Sequence, residues 1–133
     1  MTFTDSELAY LASQRLGRLA TTAADGTLQN NPVGFRVDAE RGTIDIGGHD
    51  LAASRKFRNV RVNPEVSFVV DDLASVSPWH VRGIEVRGRA EALDGTSPAG
   101  RRVRPRIRIH PRRILVWGGI NHGTTGLEAR NVG

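Results

Sequence analysis

The chain has 133 residues, enough for one domain that takes roughly two thirds of its unfolded surface out of water. It has no cysteine, which excludes disulfides and thiolate metal sites and points to a cytoplasmic protein. A formal charge of +5 and a sequence pI near 11.1 point to an anionic partner, and charge alone does not choose among a phosphorylated small molecule, a nucleic acid and a membrane surface.

The N-terminus MTFTDSELAYLASQ is polar and no apolar stretch approaches 18 residues, so neither a secretion signal nor a membrane-spanning helix is expected. Thr4 and Glu7 have the spacing of a capping box, and Leu8, Leu11 and Ala12 recur at helical intervals, which predicts a short helix over 5–14. The period then changes. RLGRLATTA (15–23) reads as a strand, Asp25-Gly26 as a hairpin turn and TLQNNPVGFRV (27–37) as the return strand. Pro32 cannot donate to a ladder, so this strand should be at an edge or bulged there. AERG (39–42) is a second turn, and TIDIGG (43–48) a third strand ending in two glycines.

Asp50 occupies an N-cap position ahead of a helix expected from about Leu51 to Val62, with Ala53, Phe57 and Val60 as its buried stripe and Asn63-Pro64 as its stop. EVSFVVDD (65–72) is nearly continuously apolar, as a central strand is. WHVRGIEVRGRAEAL (79–93) alternates, with Ile84, Val86, Gly88 and Ala90 on one face and Glu85, Arg87, Arg89 and Glu91 on the other. A Gly/Ser/Pro loop (94–100) precedes RIRIHPRRILVWG (106–118), which alternates again but is broken by Pro111. Residues 119–133 have no periodicity and read as a mobile tail. About six strands, two short helices and tight turns predict a single mainly β domain closed into a small antiparallel barrel.

No nucleophile elbow, P-loop or G-x-G-x-x-G fingerprint occurs. His49, His80, His110 and His122 are scattered without ligand spacing, so no metal site is expected. If the chain is an enzyme, a cofactor carries its chemistry. The most informative stretch is ASRKFRNVRVNP (53–64), with Arg55, Lys56, Arg58 and Arg61, where Lys56 is the chain's only lysine. On a helical wheel these cations form no single stripe, which favours a solvated face for Arg58 and Arg61. Ser54, Arg55 and Lys56, however, lie in the early turns, where free N–H groups favour anions. Gly47-Gly48 just upstream would let a planar group approach the backbone. A ring-then-phosphate site and a solvated helix face both remain open on this reading. The second basic run, RRVRPRIRIHPRR (101–113), contains no aromatic to stack on a base, so nucleic-acid binding is not favoured. In it Arg106, Arg108 and His110 look like the solvated face of a strand. Trp117 reads as packing, and Trp79 as either packing or a wall against a flat ligand.

LGRLATTAADGTLQNNPVGFRVD, GTIDIGG, SRKFRNVRVNPEVSFVVD and VRGIEVRGRAEAL, in this order, resemble the pyridoxamine 5'-phosphate oxidase-like split β-barrel superfamily. The closing IRIHPRRILVWGG is similar to its actinobacterial branch, which uses the deazaflavin coenzyme F420. The resemblance covers about residues 6–118. It implies a homodimer of six-stranded split barrels with short flanking helices and a flavin or deazaflavin in each interface cleft. Lys56 and Asn59 match the K-x-x-N element that approaches the cofactor phosphate, where a compact, strongly hydrated ammonium is suited. Ser54 and Arg55 are expected beside them. Gln29, Asn30, Asn31, Pro32 and Val33 match the strand lining the ring, Gly47 and Gly48 the next strand's end, and Trp79 a contribution from the other subunit. The substrate element Arg-x-His of true pyridoxamine 5'-phosphate oxidases follows the last tryptophan strand, whereas RIH (108–110) precedes Trp117 here, so that substrate is not expected. What is expected is an F420-dependent oxidoreductase acting on a small conjugated compound. Alternatives are an FMN flavoprotein and a cofactor-binding protein without turnover. Neither nucleic acid nor membrane is expected as a partner.

Overall fold

The computed structural model describes residues 2–123 and 126–133. Helix α1 (Asp5–Ser13) is followed by strands β1 (Leu16–Thr22), β2 (Leu28–Asp38) and β3 (Thr43–Ile46). A 3-10 turn (Leu51–Ala53) and helix α2 (Arg55–Val62) come next, then β4 (Glu65–Ser75), β5 (His80–Leu93), β6 (Arg106–Trp117) and β7 (Glu128–Asn131). The strands form one antiparallel sheet in the order β3-β2-β1-β4-β5-β6-β7. Ile44–Ile46 of β3 also pair with Ile107–Ile109 of β6, which closes the first six strands into the expected barrel. No helix among the described residues is long and apolar enough to cross a membrane.

The alternation in the sequence decides what fills the barrel. Leu19, Ile44, Ile46, Phe68, Val70, Ile84, Val86, Ile107, Ile109 and Ile114 all point inward and are buried. Each contributes about 2 kcal/mol on leaving water. Helix α1 begins as its capping box predicts: the Thr4 backbone N–H donates to Glu7 Oε1 and the Glu7 N–H to Thr4 Oγ1, both at 3.1 Å. The Asp25-Gly26 hairpin closes with Ala23 N–H donating to the Thr27 carbonyl. Pro32 sits where β2 has an edge, since residues 28–34 pair with β1 alone and only Phe35–Asp38 pair with β3.

Several expectations are corrected. Asp50 does not cap α2; it adopts a left-handed conformation (φ 51°) with no capping hydrogen bond. The segment after it makes a single 3-10 turn, and Ser54 is the true N-cap, its hydroxyl accepting from Phe57 N–H. Ala53 is accordingly exposed, and the buried side of α2 is Phe57, Asn59 and Val60. Pro111 does not break β6. The ladder passes from Arg87–Arg113 to Gly88–Pro111, leaving Arg112 as the extra residue of a bulge. A Cβ on Gly88 would meet the His110 carbonyl oxygen at 2.2 Å, so glycine is what lets β6 approach there. Arg108 is largely buried and doubly bonded to Asp45 (2.9 and 3.1 Å), unlike a solvated strand face. Residues 119–133 are not a featureless tail. Ile120 is buried and β7 pairs with residues 113–116 of β6, while Thr124 and Thr125 lie outside the described residues.

Candidate functional site

The unpaired stretch of β2 is the feature around which the predicted residues can be placed. Its free side offers backbone N–H and C=O groups from Leu28 to Gly34, interrupted at Pro32, over six steps of about 3.3 Å or about 20 Å in all. One cavity opens at each end of this stretch.

At the first end, a cavity of about 480 Å³ lies between the β1–β2 hairpin and α2, lined by Ala23, Asp25, Thr27, Leu28, Gln29, Arg55 and Asn59 among others. The Ser54 cap directs this geometry: it turns the chain into α2 so that Arg55 and, one turn on, Asn59 face the hairpin. Asn59 is 5% exposed, and its amide donates to Thr21 Oγ1 (3.0 Å) and Gln29 Oε1 (3.2 Å). Both its protons are spent on holding Gln29 and β1, so Arg55 is the group that supplies positive charge here. Asp25 is at the rim. Hydrogen bonds from the Thr27 hydroxyl and N–H, and more weakly the charge of Arg55, hold its carboxyl below the usual value.

At the other end, a cavity of about 460 Å³ lies on the outer side of the barrel, lined by Gly34, Phe35 and Arg36 of β2, Asp45–Gly48, and Arg104–Arg106. Nothing stands within 4 Å of where a Cβ would be at Gly34, Gly47 or Gly48, so bare backbone forms part of its floor.

The structure thus brings Gln29, Arg55 and Asn59 together at one end and Gly47 and Gly48 to the other. Asn30, Asn31, Pro32 and Val33 lie along the edge between them, with Asn31 and Val33 on the inward side and Asn30 and Pro32 exposed. Lys56 and Ser54 line neither cavity. Ser54 is engaged as the helix cap, also donating to the Leu51 carbonyl at 2.6 Å, and Lys56 is half-buried one position on from Arg55. Arg58 donates to the Ala53 carbonyl and Arg61 lies over the Phe57 ring at 4.7 Å, so both serve the helix. Trp79 is 69% exposed at the tip of the β4–β5 hairpin and lines neither cavity of its own chain. Trp117 packs across Gly83, whose Cβ would meet its ring at 2.5 Å. Residues missed from the sequence are Thr21 and Arg36. Strand alternation places Thr21 inward beside Gln29 and Arg36 outward beside Gly34, a signal that was present in the period of 2.

A further cavity of about 600 Å³ lies between α1, the start of β5 and residues 118–122. Two of its polar lining residues, Tyr10 and Arg82, are engaged by Asp72. Tyr10 donates to Asp72 Oδ1 (2.9 Å), and Arg82 binds both Asp72 oxygens (2.8 and 3.1 Å). Burial, and then the Asp72 carboxylate, keep the Tyr10 phenol protonated well above its ordinary range. Among the described residues no group of histidine and carboxylate side chains could hold a metal ion.

The comparisons agree with this architecture. The profile of the pyridoxamine 5'-phosphate oxidase family matches residues 3–118. A 5a,11a-dehydrotetracycline/5a,11a-dehydrooxytetracycline reductase of Streptomyces rimosus is 48% identical, over 99% of this chain and 94% of the relative. A conserved hypothetical protein of Mycobacterium tuberculosis superposes with a TM-score of 0.67 at 25% identity, covering 98% of this chain and 92% of the other. A solved F420 reductase does so with a TM-score of 0.57 at 26% identity, covering 75% and 88%. With the profile spanning nearly all of the barrel and a relative at almost half identity along the whole chain, this protein belongs to the pyridoxamine 5'-phosphate oxidase family.

Proposed function

We propose that this chain is an oxidoreductase that uses a deazaflavin of the F420 type to reduce a conjugated small molecule. The observation that carries the reading is the open edge of β2, with its unpaired backbone running on from the cavity that Gln29, Arg55 and Asn59 line. These residues fit such a group. Arg55 would hold its phosphate, with Lys56 on the adjoining face of α2; the free backbone of residues 28–34 would orient the ring; and Asn59 would keep Gln29 in place. Bound there, a deazaflavin supplies hydride transfer to or from an acceptor. The relative named as a dehydrotetracycline reductase and the F420 reductase neighbour support both the reaction class and the cofactor.

An FMN flavoprotein is the second reading. FMN has no acidic tail to be covered, and Arg58 and Arg61 are engaged within α2. A cofactor binder without turnover is the third. A homodimer is part of the proposal, because Leu16 and Leu28 are 61% and 79% exposed and Trp79 can line a cofactor site only in another chain.

The test is a fluorescence titration of the purified protein with F420 and, separately, with FMN, repeated on Arg55→Ala and Lys56→Ala. Selective F420 binding that weakens at least tenfold in both variants is expected. Preference for FMN moves the protein to the flavin branch, and no binding of either overturns the reading.

A further inference from the structure

The cavity at the Gly34 end holds more positive charge than a ring site requires. Three guanidinium groups line it, from Arg36, Arg104 and Arg106, against one carboxylate, Asp45. Asp45 is already engaged elsewhere, taking both bonds from Arg108 as well as the Arg106 contact at 3.4 Å. Arg36 and Arg104 are exposed and have no ion-pair or hydrogen-bond partner among the described residues. They stand on two different segments that converge here, the crossover of β2 from β1 to β3 and the approach to β6. Between them the floor is flat: Gly34 and Gly47 lie one step beyond the Phe35–Ile46 pair, and no side chain rises from either. Phe35, Ile46 and Pro105 supply apolar surface around it.

A site with a flat floor, apolar flanks and two uncommitted guanidinium groups suits one class of ligand. We infer that this cavity binds the acidic end of a flat, fused-ring substrate, with Arg36 and Arg104 pairing to its carboxylate or enolate. The inference rests on the reading of the β2 edge as the cofactor's bed, because a substrate seated here would adjoin the ring end of that bed. Guanidinium groups are suited to the task, since they stay charged, are weakly hydrated and meet a planar two-oxygen anion with parallel N–H bonds.

The experiment uses the whole protein without cofactor and a pair of fluorescent probes that differ only in charge, anthracene-2-carboxylate and anthracene-2-carboxamide. The carboxylate should bind at least tenfold more tightly than the amide. In the Arg36→Gln/Arg104→Gln double variant this preference should vanish, while the dissociation constants for F420 and FMN stay within twofold of the wild type. Gly34→Val, which adds a β-compatible side chain into open space, should weaken both probes at least tenfold with an unchanged melting temperature. Equal binding of the two probes, or a preference that survives the double variant, overturns the inference. So does a parallel loss of probe and F420, which would assign the arginines to the cofactor's own acidic chain. If the wild type binds neither F420 nor FMN, the proposed function fails, and the carboxylate-to-amide ratio still decides the chemistry of the cavity.

Discussion

Asn59, proposed to steady the cofactor site, is first a structural residue. Its amide ties α2 to Thr21 and Gln29 from a nearly sealed position. Asn59→Ala leaves the buried Thr21 hydroxyl without this partner and should cost about 1–3 kcal/mol, measured as a fall in the urea midpoint at constant m-value. The same change should loosen Gln29 and weaken cofactor binding, whereas Arg55→Ala should weaken binding with little effect on the midpoint. That residues 29, 55 and 59 line one cavity could be anticipated only from the family resemblance, because the helical wheel by itself left a solvated face open for the cations of α2. Neither the resemblance nor the wheel revealed that Ser54 and Lys56 would miss the cavity. Their direction is set by the 3-10 turn before α2, and that turn depends on a left-handed Asp50 that looks in sequence like an ordinary cap.

Strands with strict alternation were legible, since their period is a direct consequence of having a core on one side. β7 was not. Glu128–Asn131 has no buried apolar face, and it is held by the β6 ladder and by Arg130, whose guanidinium meets both Glu7 oxygens at 2.6 and 2.7 Å. Only the fold joins these residues. Glu7 is fully buried; burial pushes its carboxyl up, but the bonds from Arg130, Asn121 and the Thr4 N–H outweigh this and hold it below the usual glutamate range. A carboxyl depressed on folding adds stability that is complete above its unfolded value and lost as pH falls through the folded one. The wild type should therefore lose stability progressively as pH falls below the ordinary glutamate pKa of about 4.3. Glu7→Gln should cost about 1–3 kcal/mol at neutral pH, the range for a buried hydrogen-bonded group losing its partners while the partly exposed Arg130 keeps access to water, and should flatten the acid limb of thermal stability against pH.

For the molecule as a whole, the barrel was legible and its assembly remains a proposal to be measured. With Trp117→Phe leaving Trp79 as the single tryptophan, cofactor titration should quench the remaining emission at one equivalent per chain, and sedimentation should give a dimer. Unchanged emission, or a monomer that binds cofactor, would remove Trp79 and the second copy from the site.

The pairing of β3 with residues 107–109 has a consequence for how the protein is made. During synthesis β3 leaves the ribosome well before its partner, so one side of it stays unmatched while residues 47–106 are being assembled. The neighbouring hairpins need no such wait. Closing so long a loop is entropically slow, so pulse-labelled hydrogen exchange should find amides of the β4–β5 hairpin protected before those between Ile44 and Ile109. The closure that comes late would then be the one that shapes the arginine-lined cavity, and nascent chains would acquire that cavity only when the barrel is complete.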